Sequence, residues 1–521
     1  MKYLIPGLFV LLMASCSKSE TNSGDAPITY YHEKYRPQFH FSPAKGWTND
    51  PNGPVYFNGE YHLFFQYNPY GDTWGHMSWG HAVSKDLLHW EELPVALTEY
   101  PDPATGDSTM IFSGTVVIDK NNSSGLCQSN ECMIAIYTSH VHKGGEGKTQ
   151  HQSLAYSNDK GRTWKRYEKN PILDIQRKDF RDPKVFWYEP NKSWIMALVI
   201  PDLFKVQFYK SSNLKDWSLS GEFGNIGDTL RIWECPDIYQ LPIDNESGKS
   251  KWVLSLSGSH PAGPKFVGMQ YFVGEFDGAT FKADDPRQKP LYVDYGKDFY
   301  AGIVFNNIPK EDGRTIMIGW ANNWTYGNQI PTSPWRSAMS VPRELSLRKT
   351  AEGIQLAQRP VRELSMLRGK EITDFENIEN NSMELEIEIE DDGSTGLSIV
   401  LKNDSATTYI SYRANELSVD RTTSGDVSFN KEFASIETIK LKPIDNKIKL
   451  RVLIDQSIIE IFANDGEQSI CEQYFPPSGK MKLKIAGGWT IYPPLSTNPT
   501  DNIDRLDNIK LKAWEIKSTW Q

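Results

Sequence analysis

The sequence predicts an all-β protein, a five-bladed β-propeller followed by a C-terminal β-sandwich. Three observations predict it. Helical periodicity is nearly absent, while short apolar or alternating runs bounded by turn formers recur along the chain. A polar turn ending in tryptophan repeats in the first half of the chain. After about residue 365 tryptophan becomes rare and Lys, Glu, Ile and Asn rise, yet strand alternation continues.

The N-terminus comes first. Lys2 precedes an apolar run, Tyr3 to Ala14, that is too short to span a bilayer comfortably. Residues 1–15 therefore read as a signal peptide. Leu12-Met13-Ala14-Ser15-Cys16 resembles a bacterial lipobox, which would make Cys16 the lipidated first residue; ordinary cleavage near Ser15 without lipid is the alternative. Residues 16–35 are expected to form the lipidated N-terminus and a flexible tether. The membrane would then be contacted only through that N-terminal anchor.

Residues 36–347 are assigned to the propeller. Strand runs include Val55-Tyr56-Phe57, Tyr61 to Phe65 and Met196 to Val199, with turns at Asn58-Gly59, Pro190-Asn191 and Asn245 to Gly248. The repeated turn reads Ser84-Lys85-Asp86-Leu87-Leu88-His89-Trp90, then Ser157 to Trp164, then Ser212 to Trp217. Repeats at this spacing indicate propeller blades, grouped near 50–95, 110–168, 182–222, 234–284 and 298–347. Residues 348–365 read as a linker and 366–521 as the sandwich, with alternating strands at Met383–Ile389, Leu397–Leu401, Ile448–Ile454 and Ile458–Phe462.

Composition excludes some partners. Lys and Arg number 56 against 66 Asp and Glu, a net charge of −10 without basic runs, which argues against nucleic acid. Cys127 and Cys132 flank a short polar loop and are compatible with a local disulfide, leaving Cys235 and Cys471 unpaired. No His/Cys cluster has metal-ligand spacing, so no metal and no cofactor is expected.

Three segments share one grammar, a carboxylate at or just before a proline followed by an apolar strand. They are Trp47-Thr48-Asn49-Asp50-Pro51-Asn52-Gly53, Phe180-Arg181-Asp182-Pro183-Lys184-Val185, and Trp233-Glu234-Cys235-Pro236-Asp237. Proline holds its predecessor extended, which places Asp50 and Asp182 at strand entrances. Taken singly, each Asp-Pro is turn chemistry. If the first strand of each blade lines a central channel, however, Asp50, Asp182 and Glu234 face one another. Glycoside hydrolysis needs such carboxylates, one to attack or activate water and one to protonate the leaving oxygen. Crowding raises the pKa of an acid, and Arg181 is placed to keep Asp182 ionised.

These segments resemble glycoside hydrolase family 32, the invertases, inulinases and levanases. The match includes Trp47 to Gly53, Phe64-Phe65-Gln66-Tyr67-Asn68-Pro69, Ile111-Phe112-Ser113-Gly114-Thr115, Arg181 to Val185 and Glu234 to Asp237, in order, and extends to Ile454 to Gly466 in the sandwich. The resemblance implies a propeller plus sandwich and a retaining mechanism. It makes Asp50 the nucleophile and Glu234 the acid/base, and has Asp182 with Arg181 grip fructose hydroxyls. It places Asn49, Gln66, Trp74, Phe112 and Ser113 in the fructose pocket, with Trp320 as a pocket wall; blade packing is the structural alternative for Trp320 and Trp335. Cys235 would tune the neighbouring acid. The implied substrates are levan, inulin, fructo-oligosaccharides or sucrose. The stretch Asp298 to Ala301, then Ile318 to Trp324, then Ile330 to Met339, looks like exo-acting members. Endo action, an inverting arabinan- or xylan-type propeller hydrolase, and a non-catalytic glycan-binding lipoprotein are the competing readings.

Overall fold

The computed structural model describes residues 30–520, apart from 103, 245, 247, 286–288, 376–380, 392–394, 480 and 488–508. The signal peptide and Cys16 lie outside the described residues. Five sheets, antiparallel except for one short parallel pairing in the first, follow one another, and their innermost strands are Gly46–Phe57, Asp107–Asp119, Arg181–Tyr188, Glu234–Pro242 and Tyr300–Val304. Two further sheets, of six and five strands, form the sandwich. Helical elements among the described residues are four short 3-10 turns.

The repeated tryptophan turn joins the third strand of a blade to its outer strand. In each copy a serine hydroxyl donates to an acidic or amide side chain two residues on, at 3.0 Å for Ser84–Asp86, 2.7 Å for Ser157–Asp159 and 3.2 Å for Ser211–Asn213. That acceptor also takes backbone N–H groups further along the turn, and the residue after it is left-handed: Leu87, Lys160 and Leu214 have φ of 68°, 58° and 63°. The third copy therefore begins at Ser211, one residue earlier than the sequence pattern indicates, because Asn213 takes the role that aspartate plays in the others.

Blade edges extend beyond the expected groupings. Trp335–Arg336 pairs in parallel with Gly46 and Trp47, so a late segment closes the ring onto the first blade. Residues 353–360, expected within a linker, form the outer strand Gly353–Pro360 of the fifth blade and pair with Arg343–Thr350. The charged Arg348-Lys349-Thr350-Ala351-Glu352 stretch that suggests a linker is a hairpin tip and its approach. Residues 30–35, expected within a tether, are packed into the fold. Tyr31 stacks on Trp520 at 4.1 Å between centroids and donates to Glu92 at 2.6 Å. Beside them, the Arg36 guanidinium sits 3.7 Å from the Trp335 ring centroid. Cys127 and Cys132 are joined as a disulfide, with Cα atoms 5.2 Å apart, whereas Cys235 and Cys471 are buried free thiols.

The inner strands share a register slip near their starts. Pairing jumps between Thr48 and Pro51, Ile111 and Gly114, Arg181 and Lys184, Glu234 and Asp237, and Tyr300 and Ile303. In three blades the slipped residue is left-handed although it is not glycine: Asp182, Cys235 and Ala301 have φ of 62°, 46° and 51°. Such a residue costs about 1–3 kcal/mol and persists where surrounding structure holds it. A bulge bends its strand and re-aims a side chain. Five bulges on one rim thus point side chains into one funnel.

In the sandwich, Met383, Leu385, Ile387 and Ile389 are 0–3% exposed and face the core, as their alternation requires. The seam between domains combines apolar clusters, with Leu453, Phe462 and Ile516 of the sandwich packed among propeller residues, and a set of buried charges. His40 is fully buried, with Nδ1 2.9 Å from Asp455 and Nε2 3.0 Å from Glu460, and Arg343 pairs with Glu460 at 2.6 Å and Asp294 at 2.8 Å. Burial disfavours the imidazolium, but the two carboxylates win and push His40 up from 6.5 to about 9. A raised folded-state pKa stabilises fully below the unfolded value near 6.5 and loses that contribution as pH rises through about 9. His40→Ala, which leaves two buried carboxylates short of a partner, should therefore cost about 3–5 kcal/mol in urea unfolding at pH 6. The difference from wild type should shrink as pH approaches about 9. A constant difference across that range would refute the assignment.

Candidate active site

Asp50, Asp182 and Glu234 converge at the mouth of the funnel, on the inner strands of the first, third and fourth blades. The Cys235 thiol marks their meeting point, 3.4 Å from one Asp50 oxygen and 3.8 Å from one Asp182 oxygen. The Cys235 backbone N–H donates to that same Asp182 oxygen at 2.9 Å, and the left-handed turn at Cys235 makes this possible. Asp50 is 8% exposed, Asp182 6%, and the Glu234 side chain 23%, so Glu234 is the most open of the three.

Each carboxylate is held by specific donors. Ser113 donates to Asp50 at 2.7 Å and the Asn49 amide donates to its other oxygen at 3.0 Å. The Trp47 indole N–H fixes Asn49 at 2.7 Å. Arg181 donates to Glu234 at 2.9 Å, and the Tyr300 hydroxyl donates to the second Glu234 oxygen at 2.5 Å. Tyr300 is the residue that sequence reasoning did not single out. It occupies in the fifth blade the bulge position that Arg181 and Glu234 occupy in theirs, a correspondence visible only when the strand starts Arg181-Asp182-Pro183, Glu234-Cys235-Pro236 and Tyr300-Ala301-Gly302 are laid over one another.

The electrostatics follow from burial and crowding. Burial pushes Asp50 up, against the hydrogen bonds from Ser113 and Asn49, and the charge of Glu234 adds to the rise. Burial likewise pushes Asp182 up to about 7; Arg181 opposes this while Glu234 and Asp50 reinforce it. Arg181 thus favours ionised Asp182, in the direction the sequence suggested, but it does not outweigh burial. Its Nη1 donates to Asp179 at 3.0 Å and its Nη2 to Glu234, whereas its nearest approach to Asp182 is 3.8 Å. Burial and the adjacent carboxylates raise the Cys235 thiol, which keeps it a neutral donor. Protons in so tight a group belong to the cluster rather than to one residue.

The remaining expected site residues fall in two shells. Gln66 is 2% exposed and donates to the Ile111 carbonyl at 3.0 Å. Phe112 stacks on His140 at 4.4 Å and meets Trp74 edge-on at 6.2 Å. Trp74, 41% exposed, stands at the rim. Trp320 is not a pocket wall: it is 0% exposed and sits behind the lining, packed against Trp47 at 5.8 Å and Trp324 at 4.8 Å. Trp335 is also buried, in blade closure, and Trp324 is the partly exposed member of the cluster. Two residues beyond Asp182 on the same strand, buried Lys184 pairs with Asp237 at 3.0 Å and donates to the Val304 carbonyl at 3.0 Å.

Two family models match this chain, the glycosyl hydrolases family 32 N-terminal domain over residues 40–360 and the family 32 C-terminal domain over residues 346–492. The chain belongs to glycoside hydrolase family 32. A levanase of Bacillus subtilis (strain 168) is 44% identical over 95% of this chain and 74% of its own length. An extracellular exo-inulinase of Aspergillus awamori is 38% identical over 95% of this chain and 97% of its own. The crystal structure of exo-inulinase from Aspergillus awamori superposes with a TM-score of 0.83 at 35% identity, covering 94% of this chain and all of that one. A β-fructofuranosidase of Schwanniomyces occidentalis, solved with fructosyl-erythritol, superposes with a TM-score of 0.82 at 32% identity, covering 94% of this chain and 99% of the other.

Within this family 32 site, Ser113 stabilises ionised Asp50. Ser113→Ala removes a donor to the carboxylate, so Asp50 should gain a proton at higher pH than in wild type. The acidic limb of kcat/KM against pH should move upward, with about a 10-fold loss of rate near neutrality. An unmoved acidic limb would refute the role.

Proposed function

We propose that this protein is a retaining β-fructosidase that releases fructose from levan, inulin, fructo-oligosaccharides or sucrose by exo action, through a covalent fructosyl-enzyme. The observation that carries the reading is the convergence of Asp50, Asp182 and Glu234 around one thiol, with Arg181 and Tyr300 gripping Glu234. Asp50 is the nucleophile. Asn49 and Ser113 hold both its oxygens, so its attack on the anomeric carbon requires little reorganisation. Glu234, the more open carboxylate, protonates the leaving oxygen and then takes a proton from the water that cleaves the ester. Asp182, fixed by the Cys235 N–H, accepts fructose hydroxyls, and those contacts tighten as positive charge grows on the sugar.

The stretch Asp298 to Ala301, then Ile318 to Trp324, then Ile330 to Met339, which resembles exo-acting members, supports exo action. Among the relatives, the Aspergillus awamori protein is named an exo-inulinase.

Asp50→Asn should lower turnover about 10⁴-fold or more on every substrate. Glu234→Gln should lose about 10²–10⁴-fold on sucrose and much less on fructosides whose leaving group needs no proton. Fructose should be the sole early product from inulin and levan, and added methanol should trap methyl β-fructofuranoside. A ladder of oligosaccharides would overturn exo action, and absence of the β-methyl product would overturn retention.

The protein is exported on this reading, in line with a relative named extracellular and with the apolar N-terminal run. Cys16 would carry the lipid anchor, facing the periplasm or the cell surface. Cys16→Ala should shift the protein from the membrane fraction to the soluble exported fraction; an unchanged distribution would argue against lipidation.

A further inference from the structure

The buried charges between the two domains reach the wall of the active site. Arg421 lies on the sandwich strand Glu416–Thr423 and is 1% exposed. Its guanidinium donates to Asp298 at 2.5 Å, to the Tyr326 hydroxyl at 2.7 Å, and to the carbonyls of Phe433 and Gln473 at 2.9 and 3.1 Å. The Tyr326 hydroxyl in turn donates to Asp298 at 2.6 Å. Phe433 and Phe429, also from the sandwich, meet the Tyr326 ring edge-on at 5.2 and 6.5 Å. The sandwich thus holds both the ring and the hydroxyl of a propeller residue.

Tyr326 opens the turn Gly327–Gln329. The Gly327 N–H donates to the Asn323 carbonyl at 2.7 Å. A Cβ on Gly327 would lie 3.2 Å from the Trp47 ring and 3.3 Å from the Trp320 ring, so this backbone rests directly on both indoles. From Trp47 the contacts continue by hydrogen bond to Asn49 at 2.7 Å and from Asn49 to Asp50 at 3.0 Å. The neighbouring Asn328 side chain accepts from the Trp74 backbone N–H at 2.8 Å. One turn, pinned by the sandwich, therefore backs the residue that orients the nucleophile and also braces the exposed aromatic at the rim.

We propose that Arg421 and Tyr326 are positioning residues for the reaction, through which the sandwich sets the place of Asp50 by way of Gly327, Trp47 and Asn49. This rests on the reading of Asp50 as nucleophile. Nucleophilic attack tolerates little displacement, since a misplacement of about 1 Å can cost about 10²-fold. Arg421→Met would leave Asp298 and Glu472, the latter 2.7 Å from Arg421, buried without their cation, and risks misfolding. Tyr326→Phe keeps the ring and removes only the hydroxyl. Arg421→Lys keeps the charge but lacks the fork that reaches Asp298 and Tyr326 together.

The test measures kcat and KM on sucrose and inulin per folded molecule, with Tm alongside, in the full-length protein. Tyr326→Phe and Arg421→Lys should each lower kcat about 10-fold while KM changes less than about threefold. Trp47→Phe removes the indole N–H from Asn49, and its effect should combine with that of Tyr326→Phe less than multiplicatively, because both act through one series of contacts. Arg348 donates across the domain seam to the Asn464 carbonyl at 2.8 Å, away from the turn. Arg348→Gln should lower Tm and leave kcat alone, which separates positioning from simple stabilisation. Tyr326→Phe and Arg421→Lys proteins with kcat within about twofold of wild type, or a multiplicative cycle with Trp47→Phe, would overturn the assignment. Wild-type protein that releases no fructose from sucrose, inulin or levan would instead overturn the functional reading, and this assignment with it.

Discussion

Repulsion among three crowded carboxylates, two of them buried, is the force that the rest of the site is arranged to contain. Asp50, Asp182 and Glu234 share a pocket in which burial alone raises Asp50 and Asp182 above their ordinary range. Arg181 is the cation placed among them, and it is nearer to Glu234 than to Asp182. The other contacts are neutral donors: Ser113 and Asn49 on Asp50, the Cys235 N–H on Asp182, and Tyr300 on Glu234. Neutral donors stabilise a carboxylate without cancelling its charge. That arrangement works only while the donors stay where they are.

The propeller supplies that fixity. Each acid stands at a bulge on an inner strand, and the bulges at Asp182 and Glu234, like that at Tyr300, hold a non-glycine residue in the left-handed region. The strands that pair with these bulged strands, Ser193–Ile200 and the inner half of Ser250–Ser257, are buried, and the ladder beyond the slip is continuous, so the strained residues cannot relax independently. Proline after Asp182 and after Cys235 restricts the same backbone further. Lys184, between Asp237 and the Val304 carbonyl, ties the third, fourth and fifth blades together two residues beyond Asp182.

The sandwich has its own apolar core and meets the propeller through shared apolar clusters to which buried charges are added. His40, Arg343 and Arg421 each sit between carboxylates, and all three are essentially without solvent contact. Buried ion pairs of this kind add little net stability over well-packed apolar groups, but removing one partner is costly. What they provide is directionality: a guanidinium bonded to several fixed acceptors permits one docking geometry, where an apolar seam would tolerate sliding.

The sequence by itself determined the all-β class and the succession of propeller and sandwich, and it marked Asp50, Asp182 and Glu234 as one set through a shared local grammar. Alternation reports a half-buried strand, and a carboxylate before proline reports a strand entrance. Tyr300 carried no such local mark, since its role comes from a position equivalent to Arg181 and Glu234 on another blade. Trp320 looked like a pocket wall because an aromatic in a loop reads the same whether it faces sugar or its own neighbours. Residues 353–360 resembled a linker because a charged hairpin tip and a connector share a composition. Which way Arg181 leans, which indole is covered, and how Arg421 reaches the wall depend on side chains from segments far apart in the chain. Those relations exist only once the blades close into a ring and the sandwich docks against it, since burial and direction are properties of the packed whole rather than of any stretch of residues.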